Sequence, residues 1–255
     1  MILKTGLAGI AAISILVPDR ALAQSRQTDF TLSYHARETI NLRDNDILRL
    51  RYGVEEPGIA GASRLVFFGG FRDVGIDLFS DSDSVSFDQL DLGIEAVWMQ
   101  DRGVYRHGFG ARVNYAEDHE TSAELAYIYE HFGQSVDFRV VGGLQAVTGS
   151  VPGRDDFSPF GIAEATWWLS DNFLLRAGLQ ADSDGEIASF GMETGLGQGR
   201  YSFYLDFGGA LNGYRGISEY NDVSGGIRIA LGGGSLRKTL RERHVRSFAR
   251  SVEVQ

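Results

Sequence analysis

Between positions 90 and 147 an apolar residue falls on every second position. Leu90, Leu92, Ile94, Ala96 and Trp98 alternate with Asp91, Gly93 and Glu95. After Asp101, Arg102 and Gly103 the pattern restarts as Tyr105, His107, Phe109, Ala111, Val113 and Tyr115, opposed by Arg106, Gly108, Gly110, Arg112 and Asn114. Two further restarts give Ala123, Leu125, Tyr127 and Tyr129, then Val136, Phe138, Val140, Leu144 and Ala146. A period of two is the pattern of a strand with one apolar and one polar face. Strands of about 9–11 residues, charged in the middle and aromatic at the apolar ends, suit a bilayer crossing with the apolar face to lipid and the polar face to a lumen. A soluble periplasmic β-sandwich also alternates, but on shorter strands, and is the competing reading.

The same alternation covers most of the chain. Residues 47–54 place Leu48, Leu50 and Tyr52 outward and Arg49 and Arg51 inward. Arg64 then opens a segment in which Leu65, Phe67, Gly69 and Phe71 share a face. The phase flips near Arg72 and Asp73, which predicts a tight turn or a bulge. Beyond residue 157 the outward sets are Phe173, Leu175, Ala177 and Leu179; Ala188, Phe190, Met192, Thr194 and Leu196; and Tyr201, Phe203, Leu205 and Phe207. Turns near 100–103, 132–135, 170–172 and 198–200 are short, whereas those near 80–88, 116–120, 148–156, 182–186 and 212–222 are longer or more acidic. Membrane barrels sort their loops in this way, short at one end and long at the other. The predicted fold is all-β: a closed antiparallel transmembrane up-and-down β-barrel of about twelve strands over 46–232, with ten as the alternative. Trp98, Tyr105, Tyr115, Phe132, Trp167, Trp168, Phe173 and Tyr201 lie near strand ends and read as interfacial girdles.

The flanks read differently. Residues 1–23 have Lys4, a short apolar core and Ala21, Leu22, Ala23, the form of a secretory signal peptide. Residues 24–45 are polar and read as a periplasmic lead-in, with a brief alternation at Phe30, Leu32 and Tyr34 that becomes the first strand if Arg64 to Phe79 is one bent strand. Residues 233–255 form a basic tail in which Leu236, Leu240, Phe248 and Val252 recur at multiples of four. The spacing predicts a short amphipathic helix facing an anionic leaflet or an unidentified partner, or else a disordered segment.

The last alternating segment is Ser224, Gly225, Gly226, Ile227, Arg228, Ile229, Ala230, Leu231. It resembles the barrel-assembly signal of Gram-negative outer-membrane proteins: a polar residue, glycine two on, then alternate hydrophobics. That signal usually ends on phenylalanine, whereas this segment ends on Leu231 and the chain runs on. The resemblance implies an outer-membrane location, contact with outer-membrane lipid and lipopolysaccharide, and insertion by the barrel-assembly machinery.

Composition narrows the function. A formal net charge of -10 disfavours nucleic acid, which needs a basic face. There is no cysteine, hence neither a disulfide nor a lipoprotein anchor. Lysine occurs only at Lys4 and Lys238, so nearly all cations are arginines, which favour planar paired sites. Of the five histidines, His107 and His131 fall on the outward register and His119 in an acidic loop. Barrel enzymes such as lipid-modifying phospholipases or deacylases need a Ser/His or Asp/His constellation, and none is evident. Asp81 to Asp83 and Asp182 to Glu186 are fragments of calcium loops without the later ligands. The sequence thus predicts no enzyme, no cofactor and no metal, with a lipid-modifying enzyme as the alternative class.

The inward charges remain. Folding each long-loop hairpin about its centre sets Arg112 against Glu124, Arg139 against Glu164, Arg176 against Glu193 and Asp206 against Arg228. Glu164 then lies diagonal to Arg176. Residues directly opposite in an antiparallel pair are about 5 Å apart, within reach of an ion pair. Glu95 joins this belt. The rest of the wall carries a basic patch, Arg49, Arg51 and Arg64, and an acidic one, Asp77, Asp91 and Glu95, with a transverse field between them. A charged, constricted lumen is expected, in either a narrow small-solute channel or a non-conducting structural barrel.

Overall fold

The computed structural model describes residues 28–39, 43–54, 62–77, 84–116, 121–148, 157–183, 185–197, 200–214, 220–231 and 234–242. They form twelve strands: β1 (Thr28–Thr39), β2 (Arg43–Val54), β3 (Arg64–Asp77), β4 (Ser84–Asp101), β5 (Tyr105–Ala116), β6 (Thr121–Phe132), β7 (Val136–Thr148), β8 (Phe157–Ser170), β9 (Phe173–Asp182), β10 (Gly185–Leu196), β11 (Tyr201–Tyr214) and β12 (Tyr220–Leu231). One seven-residue helix, α1 (Leu236–Glu242), follows. Each strand pairs antiparallel with its neighbours in sequence, and β1 pairs with β12 from Thr28 opposite Leu231 to Thr39 opposite Tyr220. The barrel is therefore closed, and no sheet edge is left unpaired.

The alternation sets the faces. Along β6, Thr121, Ala123, Leu125, Tyr127 and Tyr129 are exposed, while Ser122, Glu124, Ala126, Ile128 and Glu130 are buried. The exterior is apolar: Leu125 is 58% exposed, Phe109 57% and Phe138 53%. The interior holds the charges: Glu193 is 0% exposed, Glu95 and Arg64 1%. This inversion of a soluble core suits a solvent that is itself apolar outside. Two turns, centred on Gly103 and on Gly133 to Ser135, leave only a few residues between strands. Gly103 takes φ +82°, which a side chain would oppose, and its N–H donates to Asp101 Oδ1 at 2.7 Å.

Three expectations change. The lead-in 24–45 contributes β1, a full wall strand, so twelve strands arise without a turn at Arg72 and Asp73. β3 runs straight through those residues, with an unbroken register against β4. The irregularity lies on its other side, where β2 slips between Arg43 and Asp46. The acidic stretch near 80–88 is shorter than expected, because β4 starts at Ser84. Residues 1–27, Asp81 to Asp83, His119 and the tail beyond Glu242 lie outside the described residues.

The helix enters the barrel. Leu236, Thr239 and Leu240 share its buried side, at 1%, 3% and 7% exposure, and the two leucines pack on Trp168 and Leu174 of the inner wall. The i, i+3, i+4 spacing puts all three on one face. An anionic leaflet or a separate partner was the expected contact for this face; the barrel's own interior covers it.

Candidate functional site

Among the described residues the inner wall carries three charged clusters, each built around an aromatic side chain. The first is near the short-turn end. Arg106 lies directly opposite Glu130, and Glu130 directly opposite Arg139, so three adjacent strands place charges of alternating sign in one row. Arg106 Nε donates to Glu130 Oε2, and Arg139 Nε lies 3.5 Å from Glu130 Oε1. Arg139 also faces Glu164 across the β7–β8 pair, the partner expected from the sequence. The Arg106 guanidinium lies 4.9 Å from the Phe132 ring centre. This geometry makes two girdle assignments wrong: Phe132 and Trp168 fall on the inward phase of their strands, where arginines stack on them.

The second cluster surrounds Phe68 of β3. The guanidiniums of Arg112, Arg49 and Arg51 stand 4.4, 5.7 and 5.9 Å from its ring centre. Cation–π attraction holds a guanidinium over a ring where water is scarce. Arg112 is directly opposite both Glu124 and Glu95. Gln145 Nε2 donates to Glu124 Oε1 at 3.2 Å, and Arg51 lies 3.5 Å from Glu95 Oε2. Arg51 and Glu95, expected in separate patches, therefore meet on the inner wall, because β2, β3 and β4 are neighbours. Arg64 is buried on the inner wall; the side chains of Asp77 and Asp91 lie outside those described.

The third cluster involves β9 to β12. Arg176 Nε donates to Asp206 Oδ1 at 2.6 Å, with a second contact from Nη2 to Oδ2. Its other terminal nitrogen lies 3.5 Å from Glu193 Oε2. Glu193 Oε1 accepts from Ser202 Oγ at 2.6 Å and from Arg228 Nη1. Tyr204 stands between the two arginines, 5.7 Å from Arg176 and 5.5 Å from Arg228.

Two of the expected pairings are corrected here. Arg176 lies opposite Gly191, not Glu193, because the β9–β10 hairpin folds midway between Asp182 and Gly185. Asp206 lies opposite Ser224, and Arg228 opposite Ser202, because the β11–β12 hairpin folds about residue 215. Slips of two or four residues keep a side chain on its face but change its partner. The bridging instead skips a strand: Arg176, Gly191 and Asp206 form one row across β9, β10 and β11. A Cβ on Gly191 would meet Arg176 Nε at 2.9 Å and collide with the Asp206 carboxylate. The missing side chain lets the pair close over β10.

Sequence reading missed Phe68, Tyr204, Arg106 and Glu130. All four sit on the inward phase, so the signal was present, but a search for opposed charges passed over aromatics and over charges near strand ends. It also missed the helix contacts. Asp137 accepts two bonds from Arg241, at 2.9 and 2.5 Å, and one from the Trp168 indole N–H at 2.8 Å. Arg237 Nη2 donates to Gly133 O at 2.9 Å and stacks on Trp168 at 5.5 Å. A pocket of about 40 Å³ remains between Leu240, Arg106, Glu130 and Glu164, room for a few waters at most.

No protein-family model matches the sequence, and no curated protein matches it either. Solved structures do share its shape. An outer membrane channel from Pseudomonas putida F1 superposes with a TM-score of 0.65 at 12% identity, over 80% of this chain and 95% of that one. The KdgM porin gives 0.52 at 6% identity, over 78% and 98%, and the NanC porin 0.50 at 8%, over 78% and 98%. In fold, this chain is a twelve-stranded closed barrel of the outer-membrane type, similar in shape to channels and porins.

Proposed function

We propose that the protein is a narrow channel for small solutes in the outer membrane of a Gram-negative bacterium. The observation that carries the reading is its polarity: an apolar exterior around an interior lined with arginine–carboxylate clusters. The exterior asks for lipid, and the charged wall asks for water or a polar solute. The similarity in shape to an outer membrane channel agrees with it. The clusters at Phe68, Tyr204 and Phe132 narrow the lumen from several sides, so a small unitary conductance is expected.

Planar-bilayer recording of the purified protein tests this. A barrel reconstituted in its heat-modifiable, folded form should conduct. The double variant Arg139→Ala with Arg176→Ala should raise the conductance, because two constricting side chains are gone. It should also lower thermal stability, because Asp206 loses its arginine and Glu130 and Glu193 are each left with one, Arg106 and Arg228. A folded barrel that never conducts would favour the structural role instead. Unchanged conductance in the double variant would remove these two residues from the constriction.

A further inference from the structure

We propose that α1 is a plug, a gate built from the chain's own C-terminal segment that closes the short-turn mouth of the barrel. The proposal rests on the channel reading. The helix is anchored on nearly opposite sides of the ring. At its start, Leu236 packs against the inner wall at Gly195 of β10, where an added Cβ would lie 2.9 Å from Leu236 Cβ. Its backbone N–H is accepted by Asn172 Oδ1 at 2.9 Å, and that of Arg237 by Asp171 O at 2.9 Å. At its end, the Arg241 carbonyl accepts from Arg106 of β5. β10 and β5 are five strands apart in a ring of twelve. Seven helical residues extend about 10 Å, and the helix runs between these two attachments with its leucines on β8 and β9.

Its attachments divide into a seat and a latch. The seat is apolar: Leu236 and Leu240 on Trp168 and Leu174. The latch is ionic: Arg241 on Asp137, with Arg237 and Arg241 also donating to the Gly133 carbonyl, at 2.9 and 2.6 Å. Just before the helix, Gly234 takes φ +129°, a conformation that a side chain would oppose. Release of the Arg241 and Arg237 ion pairs with Asp137 and Asp171, of the bonds to Asn172, Asp171, Gly133 and Arg106, and of the apolar seat would swing the helix out and leave the strands unchanged.

A lock tests the gate. The chain has no cysteine, so Gly195→Cys with Leu236→Cys introduces a single possible disulfide. The two Cβ positions need to part by less than about 1 Å to reach disulfide spacing. Bilayer conductance is measured on the full chain, oxidised and then reduced, with heat-modifiable migration as the check on folding. Asp137→Asn, which weakens the latch and leaves the wall intact, is recorded in parallel. A gate predicts a closed trace when oxidised, recovery of openings on reduction, and a larger open fraction in Asp137→Asn than in the parent chain. Equal conductance in the oxidised and reduced forms would overturn the gate and leave the channel reading standing. No conductance from the parent, the reduced pair or Asp137→Asn, all folded, would overturn the channel reading and the gate together.

Discussion

Single residues decide what the inner wall can hold. Glu193 is fully enclosed and takes bonds from Arg228 and Ser202, with Arg176 beside it. Removing the carboxylate leaves two arginines without it in a space that water scarcely reaches. A buried pair broken on one side costs about 3–5 kcal/mol. Glu193→Ala should therefore lower the unfolding free energy by about 3 kcal/mol in detergent, read from urea titration of the heat-modifiable band. Gly191 matters for the opposite reason, through what it lacks. Gly191→Val should separate Arg176 from Asp206 and lower stability while leaving β10 paired, because the collision involves side chains rather than the backbone ladder. An intact barrel of unchanged stability would show that the pair contributes nothing.

Among the elements, α1 is the one whose place depends most on side chains. Its seven residues are too few for an isolated helix to persist in water. Leu236, Leu240 and the bond from Asn172 supply what its backbone does not. Leu240→Asp puts a charge against Trp168 and Leu174 and should undock the helix. Limited proteolysis should then cut near Arg237 to Arg241 several times faster than in the parent, with the strands untouched. An unchanged cleavage rate would mean that the apolar seat does not hold the helix. The strands need less such help. β6 turns Glu124 and Glu130 inward and Leu125, Tyr127 and Tyr129 outward, and a slip by an odd number of residues would reverse both sets.

At the scale of the whole molecule the question is what surrounds the barrel. Leu125 lies on the outward face of β6 and is 58% exposed. If lipid covers that face, Leu125→Arg should cost about 2–4 kcal/mol, the penalty for a cation near the middle of a bilayer, and lower the yield of folded barrel in vesicles. In water the same change would be close to neutral. The measurement is folded yield in lipid vesicles against urea, compared with Thr121→Arg at the end of the same strand. Equal, small effects at both positions would argue for an aqueous exterior and against the outer-membrane reading.

Everything that depends on a period of two is legible in the order of residues alone. The faces of the strands and the inward placement of Arg112, Glu124, Arg139 and Glu164 follow from local order, because successive side chains on a strand have no choice of side. Two of the four charge pairings, Arg112 opposite Glu124 and Arg139 opposite Glu164, were legible for the same reason, since their hairpins fold where the loops are centred. The rest depended on contacts between distant residues. Register at Arg176 and Asp206 turned on where two hairpins reverse, which polar loops do not mark. The bridge over Gly191 joins strands that are not sequence neighbours. The segment carrying Phe30, Leu32 and Tyr34 became a wall strand because β12 offered it an edge that closure had to fill. The tail's amphipathic spacing was visible, but a helical apolar face does not say what covers it. Only the closed barrel, with Trp168 and Asp137 turned inward at one mouth, gave α1 its seat.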